Sequence, residues 1–265
     1  MGFFSFCRPV FWGAYHKGPV SPSVGSLFAG LGGFDLGVER AGCRVDWQVE
    51  IDPWCRRVLA KHWPDVIRYE DIKTVGAHNL KFVDWIVGGF PCQDLSVAGK
   101  QKGLEGDRSG LWWEMRRVIS ELRPGVVIVE NVPNLVNHGI GHVLGSLAEI
   151  GYDAEWDIVS AQDLGAPHLR ERIWIVAHAL REGLEGHPGH EFDGDQSRRV
   201  NTRSNRPPGG EGLSIGQHWQ AEPNVGRVAN GVPKRVDRIR GFGNAVLPHI
   251  VEWIARRVIE LEGRL

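Results

Sequence analysis

Val126-Val127-Ile128-Val129 is a run of four β-branched apolar residues with no polar face. A strand of this kind must be covered on both sides, as in a parallel sheet held between layers of helix. Further apolar runs, less purely β-branched, recur at 24–28, 44–49, 83–87 and 173–177. Amphipathic stretches at 34–41, 52–61 and 111–122 separate several of them. Asp52-Pro53 supplies an N-cap and a first-turn proline, and Arg123-Pro124-Gly125 closes the stretch before the β-branched run. Alternating strands and helices predict an open α/β sheet with helices on both faces.

In such sheets ligands bind beyond the carboxyl ends of the strands, so the residues there carry the chemistry. After the first apolar run comes Ala29-Gly30-Leu31-Gly32-Gly33. Strand, glycine turn and helix bring backbone N–H groups close to a nucleotide-like ligand. The dinucleotide fingerprint needs glycine at position 35, where Asp35 stands, which disfavours a nicotinamide or flavin enzyme. Glu50 closes the second run about 20 residues after the turn, where a carboxylate can accept both hydroxyls of a ribose. The alternative for Glu50 is a solvated strand end. Asp71, in Tyr69-Glu70-Asp71-Ile72 at the close of a third short strand, could bind an adenine amino group or cap a turn.

The apolar run ending at Val87 leads into Gly88-Gly89-Phe90-Pro91-Cys92-Gln93. Two glycines break the strand and a proline fixes the backbone just before the cysteine. Cys92 is thus placed at a strand end as a nucleophile. From this stretch alone a small buried hydrophobe is an equal reading. The β-branched run delivers Glu130 to the same edge, and a carboxylate there needs a partner or a task. Arg170 and Arg172, two residues apart ahead of Ile173, share one face of an extended segment; a solvated basic strand start accounts for them equally well.

From 178 to about 238 the alternation stops, and glycine, proline, asparagine and arginine take over. Between Arg198 and Arg240 nine Lys/Arg face three Asp/Glu. The whole chain has a net charge of −1, so any basic footprint for nucleic acid is local to this segment. A solvated linker is the alternative. Helical spacing returns with Leu247, Ile250, Val251, Ile254, Ala255, Val258 and Ile259, a stripe that must pack on the sheet already built. The four cysteines have no metal-ligand spacing, so no metal site and a reducing, cytoplasmic setting are expected. No apolar run approaches a membrane span.

Together these stretches resemble the bacterial and phage DNA cytosine-C5 methyltransferases. Phe28-Ala29-Gly30-Leu31-Gly32-Gly33-Phe34 is similar to the family's cofactor motif, Gly89-Phe90-Pro91-Cys92-Gln93 with Ser96 to its nucleophile motif, and Glu130-Asn131-Val132 to its Glu-Asn-Val. Arg170-Glu171-Arg172 and Gly243-Asn244-Ala245-Val246 match two more motifs, in the family's order. The resemblance covers about 23–177 and 238–260. His168 replaces the glutamine usual before the first motif arginine, the recognition region is short, and the first twenty or so residues match nothing in the family.

The resemblance implies a Rossmann-like S-adenosylmethionine-dependent methyltransferase sheet with a small irregular target-recognition insertion. It divides the chain into an extension (1–22), a catalytic and cofactor domain (23–178), the insertion (179–237) and a returning motif and helix (238–265). It implies Cys92, Glu130, Arg170 and Arg172 as catalytic residues. It implies Phe28, Gly30, Leu31, Gly32, Glu50, Ile51, Asp71, Ile72, Pro91, Leu111, Asn244 and Val246 around S-adenosyl-L-methionine. Double-stranded DNA is the implied substrate, a cognate restriction endonuclease an associated partner, and a monomer the expected state. The segment 96–110 would close over a flipped base. The competing readings are a DNA-binding relative with weak or no turnover and an RNA cytosine methyltransferase.

Overall fold

A computed structural model describes residues 21–91, 110–180 and 244–263. Cys92, the segment 93–109, residues 181–237 of the expected insertion and residues 1–20 of the extension lie outside these. The described residues form a seven-stranded sheet in the order β3-β2-β1-β4-β5-β7-β6. The strands are β1 (Ser23–Leu27), β2 (Arg44–Val49), β3 (Ile67–Tyr69), β4 (Trp85–Gly88), β5 (Val126–Asn131), β6 (Tyr152–Ser160) and β7 (Glu171–Ala179). The first five are parallel, and β7 inserts antiparallel between β5 and β6. Helices α1 (Gly33–Arg40), α2 (Pro53–His62), α3 (Gly110–Leu122), α4 (Leu135–His138), α5 (Ile140–Glu149) and α6 (Pro248–Glu262) complete it.

The β-branched run explains the layering. Val127 and Val129 of β5 pack into a core with α3 and α5, whereas Val126 and Ile128 pack into a second core with α1 and α6. Strands β4 and β7 divide in the same way, with Ile86 and Ile175 on one side and Val87 and Trp174 on the other. The stripe on α6 buries Ile250, Val251, Ile254, Ala255 and Val258. It packs on α1 as well as on the sheet. A Cβ at Gly37 would lie 2.4 Å from the Cβ of Val251, so the two helices meet there at backbone distance.

Three local outcomes differ from the sequence reading. Asp46 is an extra residue in β2: Val24 pairs with Val45 and Gly25 with Trp47. The bulge sends Val45 into one core and Trp47 into the other, although strict alternation would put them on one face. Gly25 makes room for the indole, since a Cβ there would come within 2.0 Å of Trp47 Cζ2. Second, β3 ends at Tyr69, and Asp71 caps a short 3₁₀ turn at Ile72–Thr74 instead of closing a strand. Third, β5 runs two residues past the apolar run, because Glu130 and Asn131 pair with Trp174 and Ile173 of β7.

Candidate active site

Four parallel strands and the start of the antiparallel β7 deliver their motif residues to one sheet edge. The turn after β1 is tightly wound: Phe28, Gly30 and Gly32 have φ of 54°, 55° and 84°. Glycine adopts this left-handed backbone freely, while Phe28 carries strain of the kind stored at functional sites. Glu50, at the end of β2, folds back onto the turn. Its Oε2 accepts from the Gly30 N–H at 2.7 Å and its Oε1 from the Asp52 N–H at 2.8 Å. Burial raises its pKa above the usual carboxylate value, against the pull of those two N–H groups and of Arg56. Arg56 donates to the carbonyls of Glu50 and Ile51 and pairs with Glu70 at 3.0 Å. Ile51, next along, is 64% exposed, an apolar surface held open at a strand end.

The C-terminal motif returns to the same turn. A Cβ at Gly33 would lie 2.3 Å from the Val246 carbonyl oxygen, so Val246 reaches the turn only because glycine stands there. Val246 thus packs against the turn that Glu50 also holds, while Asn244 lies exposed two residues before it. Asp71 stands two residues beyond β3, its Oδ1 accepting from the Lys73 N–H at 2.9 Å. Ile72 is placed differently from a lining residue: its side chain is buried in the core, which leaves only its main chain for a ligand. Leu111 is half-buried against the same core, and Pro91 is half-buried at the last described position before Cys92.

Beneath the turn lies a polar group that belongs to none of the matched roles. Asp35 is fully buried, accepting from Ser26 Oγ at 3.1 Å and Gln48 Nε2 at 2.8 Å. Gln48 Oε1 in turn accepts from Arg68 at 3.2 Å. Burial pushes the Asp35 pKa up to about 6.

On the other side of β4, Glu130 Oε1 pairs with Arg172 Nε at 2.9 Å. The Glu130 side chain is 12% exposed. Burial pushes its pKa up to about 6, although Arg172 and Arg170 both pull it down. Arg170 donates to the Ala245 carbonyl at 2.6 Å, tying the basic motif to the C-terminal one. A Cβ at Gly89 would lie 2.9 Å from Glu130 Oε2, so the chain leading to Cys92 runs directly past the carboxylate. Arg172 thus contacts Glu130 directly, while Arg170, just ahead of β7, acts on it only through its charge.

Two side chains that hold the site's backbone escaped the sequence reading. Asn131, 3% exposed, donates from Nδ2 to the Phe90 carbonyl at 3.1 Å and accepts the Val132 N–H at 2.8 Å. It thereby ties β5 to the segment before Cys92, and its place beside Glu130 in the motif was the available signal. Arg56 acts on backbone carbonyls, which leave no mark in a sequence.

An open sheet with a glycine turn after β1, a carboxylate after β2 and an antiparallel β7 defines a Rossmann-like methyltransferase fold. Residues 23–209 match the family described as C-5 cytosine-specific DNA methylase. The chain belongs to that family. It is 34% identical over 170 residues to the type II methyltransferase M.NgoFVII of Neisseria gonorrhoeae, covering 62% of this chain and 46% of that protein. It is 35% identical over 154 residues to M.HhaI of Haemophilus parahaemolyticus, covering 57% and 47%. A solved structure from E. coli, described as a DNA modification methyltransferase encoded within a prophage, superposes with a TM-score of 0.52 at 31% identity, over 60% of this chain and 47% of that one. The methyltransferase EhMeth of Entamoeba histolytica gives 0.54 at 18% identity, a likeness of fold alone. The chain spans about half the length of the curated relatives it matches.

Proposed function

We propose that the protein transfers a methyl group from S-adenosylmethionine to C5 of cytosine in double-stranded DNA, through a transient bond between Cys92 and C6 of a flipped-out base. The observation that carries this is the Glu130–Arg172 pair beside Gly89, on the edge the glycine turn also serves. An acid whose pKa is raised to about 6 is suited to sharing a proton with a ring nitrogen.

The residues fit the cofactor. Glu50 accepts one backbone N–H on each oxygen, and a carboxylate oxygen has a further lone pair, so a ribose diol can still be held. Ile51 offers apolar surface to a purine ring, and Asp71 an acceptor for its amino group. Phe28, Gly30, Leu31, Gly32, Pro91, Leu111, the Ile72 main chain, Asn244 and Val246 complete the proposed set. When bound, S-adenosylmethionine supplies an electrophilic methyl group.

Cytosine C5 is a poor nucleophile until a group adds at C6. The Cys92 thiolate would supply that group, splitting one hard step into easier ones. Addition places charge on the ring, and Glu130 would offset it by giving a proton to N3 while accepting from the 4-amino group. Arg172 would hold O2, and Arg170 would steady the backbone phosphate and the thiolate. Loss of the C5 proton, departure of the Cys92 sulfur as thiolate and return of the N3 proton to Glu130 would restore the ring. The base must leave the duplex first, at a cost of about a few kcal/mol. The basic segment between Arg198 and Arg240 would engage the DNA as target-recognition insertion 179–237. A cytoplasmic monomer acting beside a cognate restriction endonuclease completes the proposal.

The test is a duplex containing 5-fluorocytosine in randomised contexts, incubated with S-adenosylmethionine. A protein–DNA adduct that maps to Cys92 and vanishes in Cys92→Ala is expected. If no adduct forms in any context, the reading fails.

A further inference from the structure

The 3₁₀ turn at Ile72–Thr74 is gripped by a side chain outside every matched motif. Arg117 of α3 donates from Nη2 to the carbonyls of both Ile72 and Val75, each at 2.9 Å. Its Nε and Nη1 are fixed by Glu114 at 2.9 Å and Glu121 at 2.8 Å. Glu121 also accepts the Ala77 N–H at 2.9 Å. Ile72 and Val75 are already buried, at 4% and 1% exposure. Burial of their side chains sets the depth of the turn, and within the turn the Ile72 carbonyl accepts only one long bond, from the Val75 N–H at 3.5 Å.

The plane that matters is the one between Ile72 and Lys73. Its carbonyl accepts from Arg117, and its N–H donates to Asp71 Oδ1 at 2.9 Å. A single rigid peptide unit therefore joins the guanidinium to the Asp71 carboxylate. Hydrogen bonds in such a chain polarise one another. We infer that Arg117 is a positioning residue: through the Ile72–Lys73 peptide it orients Asp71 and so sets recognition of the adenine end of the cofactor. This rests on the S-adenosylmethionine site proposed above. Lysine is not equivalent, because an ammonium lacks the separate Nε and Nη1 donors through which Glu114 and Glu121 fix the direction of Nη2.

Calorimetry with S-adenosylmethionine and with its N6-methyl analogue tests the inference on the full chain. The wild type is expected to prefer the unmodified compound. Arg117→Lys is expected to weaken S-adenosylmethionine about tenfold and to erase most of that preference. Asp71→Ala is expected to do the same, and the double variant to be no worse than either single one. Glu121→Gln, the milder change, is expected to move the preference in the same direction, and it serves if Arg117→Lys does not fold. A purely structural arginine would lower the melting temperature and leave the preference unchanged, which would overturn the inference. Additive losses in the double variant would also overturn it. Glu50→Ala separates the two levels: if it weakens binding while the Arg117 and Asp71 variants do not, only this inference falls. If none of the variants alters binding, the cofactor site itself is wrong.

Discussion

Glu130 and Arg172 meet at 2.9 Å across the antiparallel seam between β5 and β7. Burial and the arginine act in opposite directions on the same carboxyl, and burial wins, leaving its pKa near 6. Arg172→Ala removes one of the two lowering influences, so the Glu130 pKa is expected to climb further. Carbon-13 NMR of labelled glutamate carboxyls, with Glu130→Gln identifying the resonance, reads the midpoint directly. A midpoint that stays at or drops below its wild-type value in Arg172→Ala would contradict this electrostatic account.

Glu50→Ala deletes the acceptor for two backbone N–H groups and the proposed holder of the ribose. The dissociation constant for S-adenosylmethionine is expected to rise at least about tenfold. The stabilisation that the cofactor confers in a thermal melt should shrink accordingly, because it depends on ligand concentration relative to that constant. An unchanged constant by calorimetry would remove Glu50 from the site.

Asp35 makes stability depend on pH in a definite direction. Its folded pKa of about 6 lies above the ordinary 3.8. Folding therefore favours the protonated acid, and this contribution is complete below the ordinary value and lost as pH rises through about 6. Asp35→Asn has no such proton to lose. In urea melts the stability of wild type relative to Asp35→Asn is expected to fall between about pH 4 and about pH 7. A difference independent of pH would show that Asp35 does not titrate there.

Two glycines separate packing from binding. An alanine Cβ at Gly25 would strike the Trp47 ring at 2.0 Å, and one at Gly33 would strike the Val246 carbonyl at 2.3 Å. Gly25→Ala is expected to cost about 1–3 kcal/mol of stability in a denaturant melt and to leave cofactor affinity nearly unchanged. Gly33→Ala is expected to push the C-terminal motif off the turn and weaken the cofactor severalfold. Equal effects of the two on affinity would argue against Val246 belonging to the site.

The parts of the fold that were legible in the sequence are those where one residue type has one structural use. Asp52 does accept the N–H groups of Trp54 and Cys55, and Pro53 does open α2. The β-branched run does lie between two cores. The period of β6 is legible as well: Tyr152, Ala154, Trp156 and Ile158 alternate with Asp153, Glu155 and Asp157 along the strand. The bulge at Asp46 was not legible, because Val45 and Trp47 are both apolar and nothing local says they face opposite ways. Nor was the buried role of Asp35. Its carboxylate looked like a departure from a glycine fingerprint, whereas Ser26 and Gln48 reach it only once β1 and β2 are paired. Motif residues at strand ends could be placed at one edge from sequence. The arginines that hold the loops between them could not, since their targets are main-chain carbonyls.

The pairing of Glu130 with Trp174 makes chemistry and folding share one reading frame. Sliding β7 by a single residue would turn Trp174 out of its core and set Glu171 where Arg172 stands, carboxylate against carboxylate. The misaligned protein would be penalised twice, in its interior and at its reactive edge. A chain that folds at all along this seam has therefore already assembled the Glu130–Arg172 pair.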